Sequence, residues 1–156
     1  MVSTVVVALD GSEGSERTLP VLRELAPPNG TRVQIVHVDE RLIGRAAGPL
    51  RANEDELIER VESRAAELTE AGYDTHVHIE RTSVGQPAHV IAELARRSNA
   101  DLILTGTRGH GPVAGLILGS VTTRLLMIAP CPVVVVPSAA AAETEAPEVA
   151  TSTTQA

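Results

Sequence analysis

The 156-residue chain has no lysine: all 13 of its basic residues are arginine. This excludes the P-loop, whose lysine reaches the β- and γ-phosphates. It also excludes Schiff-base chemistry and the lysine-dependent kinases and serine hydrolases. Aromatics are almost absent, with Tyr73 alone and neither Phe nor Trp. An RNA-recognition or single-strand-binding surface built on stacked rings is therefore excluded. The single cysteine, Cys131, can form neither an internal disulfide nor a thiolate zinc site and suits a reducing compartment. No apolar run approaches the ~18 residues of a membrane span. The N-terminal MVSTVVVALD lacks the basic start of a signal peptide, so the expected location is cytoplasmic. With a net charge of -7, nucleic acid and anionic membrane are poor partners.

Hydrophobic residues make up 43% of the chain, enough for one domain with a core of Val, Leu, Ile and Ala. Residues 4–9 (TVVVAL) form a continuous run of the kind buried on both faces of a parallel sheet. The cluster Asp10-Gly11-Ser12 then starts a helix carrying Leu19, Leu22, Leu25 and Ala26, which ends at the PPNG of residues 27–30. A second strand is expected over 32–38 and a loop over 39–50. A long amphipathic helix from about Arg51 follows, capped by Gly72. Residues 75–81 (THVHIER) alternate as an edge strand does. Pro87 opens a third helix with Val90, Ile91, Leu94 and Ala95 on its apolar face, closed by Asn99. A buried strand over 101–105, a fourth helix from Gly119 or Ser120 to about Ile128 and a strand over 133–136 complete the domain. The domain is expected over 1–137. Residues 138–156, rich in Ala, Glu, Thr and Pro, read as a disordered tail.

Strand–helix alternation of this kind predicts an α/β fold: a single doubly wound five-stranded parallel sheet with helices on both faces. The order 3-2-1-4-5 places the polar-faced strand 3 at one edge. It makes strands 1 and 4 neighbours, so their carboxyl-end loops meet at the switch point where such sheets bind ligands. The same order leaves the four valines 133–136 at the other edge. A bare apolar edge is an aggregation hazard, and self-pairing about a two-fold axis removes it. A homodimer through 133–136 is the expectation, with coverage by the tail or a loop as the alternative.

Between strand 4 and the next helix lie glycines at 106, 109, 111, 115 and 119, then Ser120 and Thr122. Glycines admit close backbone approach, successive amides make an anion-binding concavity, and a helix N-terminus adds a positive dipole end. Arg108 is the nearest cation. The spacing Gly106-x2-Gly109-x9-Gly119-Ser120 resembles the nucleotide-binding motif of the universal stress protein family, in its ATP-binding branch. The resemblance runs over about residues 1–137. It includes VVVALDGS (5–12), His37-Val38, Gly85-Gln86-Pro87, DLILTGTRG (101–109), GSVT (119–122) and CPVVVVP (131–137).

The resemblance implies that Gly109, Gly119, Ser120 and Val121 hold phosphates, with Thr122 a weaker addition. The Val38 backbone would meet the adenine edge, Asp10 would lie by the ribose, the phosphates and a Mg2+ ion, and Gly106 would supply the turn after strand 4. It further implies an ATP-binding stress-response regulator, a homodimeric nucleotide-dependent switch. A slow Mg-dependent ATPase and an AMP- or cyclic-nucleotide-binding module remain as alternatives; no water-positioning Gln or Glu is evident near the loop. Plainer roles stand beside these: Asp10 as a cap of the first helix, Arg108 as a solvated charge, His37 as a packed strand residue and His110 as a loop residue. Likewise, His76 and His78 read as surface polar residues and Cys131 as an inert core thiol.

Overall fold

The computed structural model describes residues 2–41, 51–83, 86–107 and 118–138. The elements in chain order are β1 (Thr4–Ala8), α1 (Glu13–Glu16), α2 (Thr18–Leu25), β2 (Arg32–Arg41), α3 (Arg51–Glu70), β3 (Asp74–Ser83), α4 (Pro87–Arg97), β4 (Leu102–Gly106), α5 (Ser120–Ile128) and β5 (Val133–Val136). The five strands form one sheet in the order β3-β2-β1-β4-β5, every neighbouring pair parallel. This is the doubly wound sheet that the alternating pattern predicts.

Side chains of the central strands alternate between two buried layers. Val5, Val7, Leu9, Val33, Ile35, Leu102 and Leu104 pack with Leu19 and Leu22 of α2 and Val61, Ala65 and Leu68 of α3. Val6, Val36 and Ile103 pack on the other side with Ile91 and Leu94 of α4 and Leu125 of α5. Each fully buried side chain of this size contributes ~1.5–3 kcal/mol. Two-sided burial explains why these strands read as unbroken apolar runs. Tyr73, the lone aromatic, is buried and donates its hydroxyl to the Ala26 carbonyl at 2.8 Å, tying the end of α2 to the start of β3. Among the described residues no helix is long and apolar enough to cross a membrane.

Three details differ from the sequence expectation. The first helix is two, α1 and α2, because Pro20 has no N–H to give the Glu16 carbonyl in a continuous helix. The Thr18 hydroxyl donates instead to the Ser15 carbonyl at the junction. β2 continues past Val38 to Arg41, pairing with β3 through Asp39↔Arg81, Glu40↔Thr82 and Arg41↔Ser83. That extension carries no apolar alternation, so backbone pairing alone defines it. The rest of the expected loop, 42–50, lies outside the described residues, as does the tail from 139 onward.

The third difference is His78, expected at the surface. It is half-buried, with Nε2 2.6 Å from Gln34 Oε1, and burial lowers its pKa below the ordinary 6.5. His76 is exposed and pairs with Asp74 at 3.0 Å. Burial pushes the Cys131 thiol pKa up, which fits an unreactive group.

Candidate functional site

The carboxyl ends of β1 and β4 lie side by side, as the strand order requires. After β1, Gly11 takes φ +75, and a β-carbon there would fall 2.3 Å from Leu57 Cδ1 of α3. The left-handed φ is what favours glycine here, while the Leu57 tip could turn aside for a β-carbon. The Asp10 carboxylate accepts from the Ser12 amide at 2.9 Å and from the Ser12 hydroxyl at 2.5 Å. Ser12, not Asp10, is the cap of α1: its Oγ accepts from the Ser15 amide at 3.2 Å. Asp10 thus fixes the turn through Ser12.

At the end of β4, Gly106 permits an unusually close approach of main chain to main chain. A β-carbon there would lie 2.7 Å from the Gly14 carbonyl carbon and 2.8 Å from the Ser15 nitrogen. The Gly106 carbonyl accepts the buried Thr122 hydroxyl at 2.9 Å, which pins the first turn of α5 to β4. Beyond it, the Gly119 amide donates to the Thr107 carbonyl at 2.7 Å. Gly119 is the N-cap of α5, extended at φ -61 and ψ 157, and as a glycine brings no capping side chain of its own. Its own amide is used, but those of Ser120, Val121 and Thr122 have no acceptor within the helix. Ser120 is exposed beside them. Of the expected phosphate residues, the structure therefore brings Gly106, Gly119, Ser120, Val121 and Thr122 together. Arg108 and Gly109 lie outside the described residues.

Val38 borders the same crevice through its backbone. The Val36 carbonyl accepts from the Leu9 amide at 3.0 Å. In a parallel ladder alternate residues turn their N–H and C=O to the same neighbour. Two residues on, Val38 therefore directs its amide and carbonyl to that side, past the last residue of β1. Its side chain packs into the layer of α4 and α5.

Between Leu9 and Val38 stands a pair that spacing could not reveal. His37 is buried, with Nδ1 2.9 Å from the Leu9 carbonyl and Nε2 2.8 Å from Glu54 Oε1 in the first turn of α3. The position of His37 in its strand was legible; Glu54, 17 residues away across residues 42–50, carried no signal of its own. No group of three or more His, Cys, Asp and Glu among the described residues could hold a metal by itself.

The universal stress protein family profile matches residues 1–137. A universal stress protein from Thermus aquaticus is 36% identical over 138 residues, which cover 87% of this chain and 99% of that protein. Among solved structures, a universal stress protein in complex with cAMP is 25% identical with a TM-score of 0.58, covering 88% of this chain and 98% of that one. The Archaeoglobus fulgidus universal stress protein in complex with dAMP is 23% identical with a TM-score of 0.61, covering 87% and 98%. With the profile spanning all five strands and the relatives matching nearly end to end, the chain belongs to the universal stress protein family.

Proposed function

We propose that this protein binds an adenine nucleotide, ATP with Mg2+, in the crevice between the ends of β1 and β4 and the start of α5. In this reading it works as a homodimeric stress-response switch, the nucleotide biasing the dimer or a partner surface. The observation that carries the reading is the glycine-capped N-terminus of α5. Three amides without intrahelical acceptors, capped by a glycine and flanked by the exposed Ser120, start a helix that Thr122 ties to Gly106, which in turn abuts Gly14 and Ser15 just after the Asp10–Ser12 turn. That arrangement suits a phosphate without any ammonium group.

The helix dipole alone contributes ~0.3–1 kcal/mol, so amide and hydroxyl contacts must supply most of the grip. The Val38 main chain offers one donor and one acceptor to a base edge. Arg108 and Gly109 belong to the same proposed phosphate loop. Thr122, whose hydroxyl proton is spent on Gly106, serves by placing α5. Mg2+ is commonly held by one carboxylate with phosphates and waters, and Asp10 is the carboxylate that directly follows β1, the strand paired with β4.

The cAMP and dAMP found with two structural neighbours favour a second reading, an adenosine monophosphate as the physiological ligand. Titration calorimetry with ATP, AMP and cAMP, on the wild type and Gly119→Glu, separates these. Gly119 has an ordinary negative φ, so glutamate fits the backbone but brings a carboxylate to the phosphate position. The expected result is ATP binding that weakens at least ~10-fold in the variant, the equivalent of ~1.4 kcal/mol, with an unchanged circular dichroism spectrum. Equal affinity in both proteins removes the α5 terminus from the site. AMP or cAMP binding tighter than ATP favours the second reading.

A further inference from the structure

We infer that His37 and Glu54 form a one-proton bridge that positions the nucleotide crevice and couples its order to pH. This deepens the proposed function and rests on it. Both ring nitrogens of His37 face groups that accept and do not donate. Nδ1 lies 2.9 Å from the Leu9 carbonyl and Nε2 lies 2.8 Å from the Glu54 carboxylate. A neutral imidazole has one N–H and one lone pair. Paired with an ionised carboxylate, it would point that lone pair at an oxygen on one side or the other. Both contacts are satisfied only when the pair carries one further proton, as imidazolium with carboxylate or as imidazole with the carboxylic acid.

The bridge joins three segments that meet at the crevice. Leu9 directly precedes Asp10, His37 directly precedes Val38, and Glu54 lies one turn before Leu57, which packs over Gly11. The His37 side chain is 4% exposed and that of Glu54 24%, so water replaces the lost contact poorly. Other charged groups around this layer are distributed as follows. On β2, Asp39 has its Oδ2 3.9 Å from Nε of Arg81 on β3. At the end of β1, Asp10 is bonded to Ser12. On α3, Arg60 lies against the Gly11 turn. Neither ring nitrogen of His37 reaches these groups; Nδ1 meets the Leu9 carbonyl, and the carboxylate of Glu54 is the ring's ionisable partner.

Loss of the proton breaks one contact and frees the first turn of α3 from the end of β1. Glu54→Gln separates this from simple packing, because an amide both donates and accepts. It can donate to a neutral imidazole whose Nδ1–H stays on Leu9, and it can accept from an imidazolium. The variant bridge therefore persists whether or not the proton is present.

The experiment measures ATP affinity by calorimetry and amide exchange of the nucleotide-free full chain between about pH 5.5 and 8. In the wild type, protection at the start of α3 is expected to fall as pH rises. Affinity is expected to fall up to about 10-fold more than in Glu54→Gln. Titration of ATP itself and of the other groups is common to both proteins and cancels in the comparison. Parallel pH profiles for the two proteins, in exchange and in affinity, overturn the bridge. A profile difference in exchange with no ATP binding at any pH upholds the bridge as a proton-dependent contact and overturns the nucleotide reading alone.

Discussion

Gly106 shows how a single missing methyl group positions a site. The α1 main chain lies so close to the end of β4 that any side chain at 106 would meet the Gly14 and Ser15 backbone below 3 Å. Backbone cannot swing aside as a side-chain tip does, so Gly106→Ala must displace α1 or bend β4. Overpacking of this kind costs ~1–3 kcal/mol. At ~2–4 °C per kcal/mol for a domain of this size, the midpoint should fall by several degrees. ATP affinity should fall with it, because the displaced segment follows the Asp10–Ser12 turn and the Gly106 carbonyl holds Thr122. Differential scanning fluorimetry with and without ATP checks this; an alanine variant that melts like the wild type would show that α1 yields freely. The sequence made the glycine spacing legible, and hence most residues of the crevice. It did not disclose why Gly106 is glycine, because the reason lies in residues 14 and 15, brought there by the sheet. Glu54 was hidden for the same reason: a glutamate in a charged amphipathic helix gives no hint of the histidine it meets.

The elements were legible where burial is two-sided or strictly one-sided. β1, β4 and β5 are short β-branched or aliphatic runs, and α3 and α4 carry apolar stripes at helical spacing, so hydropathy alone locates them. It fails at the far end of the β2–β3 ribbon, where Asp39, Glu40 and Arg41 pair through the backbone with no apolar signature. It also fails between α1 and α2, where the information is a proline's missing donor. The start of β1 is held by a comparable polar device. Asp101 Oδ2 accepts from the Ser3 amide at 2.8 Å, the Ser3 hydroxyl at 2.9 Å and the Thr4 amide at 2.9 Å. These hydrogen bonds hold its carboxyl below the usual 3.8. A pKa depressed on folding contributes stability that is complete above the unfolded value and lost as pH falls through the folded one. Asp101→Asn should therefore lower the melting midpoint modestly at neutral pH, since the carboxylate is exposed to water. The gap from the wild type should close as pH drops below about 3.8. Melting curves from pH 7 to about pH 2.5 test this; a gap that stays constant would mean the carboxylate's charge is irrelevant to how β1 is anchored.

At the scale of the molecule, the sheet has two edges that differ in chemistry. β3 ends it with Asp74, His76 and Glu80 on one face, and charged, twisted edges of this sort resist further pairing. β5 ends it with four valines, three of them only partly buried. On the neighbouring α5, Leu126 is 47% and Met127 82% exposed. Those two side chains form exposed apolar surface on the element packed next to the strand whose backbone edge faces outward. An antiparallel pairing of β5 with a second β5 about a two-fold axis would satisfy the valine edge with a self-complementary partner and leave only the two charged β3 edges. We therefore expect a dimer of twice 16.3 kDa in sedimentation at micromolar concentration. Val134→Arg should shift it to the monomer: the guanidinium would be buried unpaired at the seam, whereas in an isolated chain a long side chain at the half-buried edge can reach water. Circular dichroism of the variant distinguishes loss of assembly from loss of fold. A wild type that sediments as a monomer would leave the valine edge unexplained by self-pairing and would detach the nucleotide switch from any change in assembly.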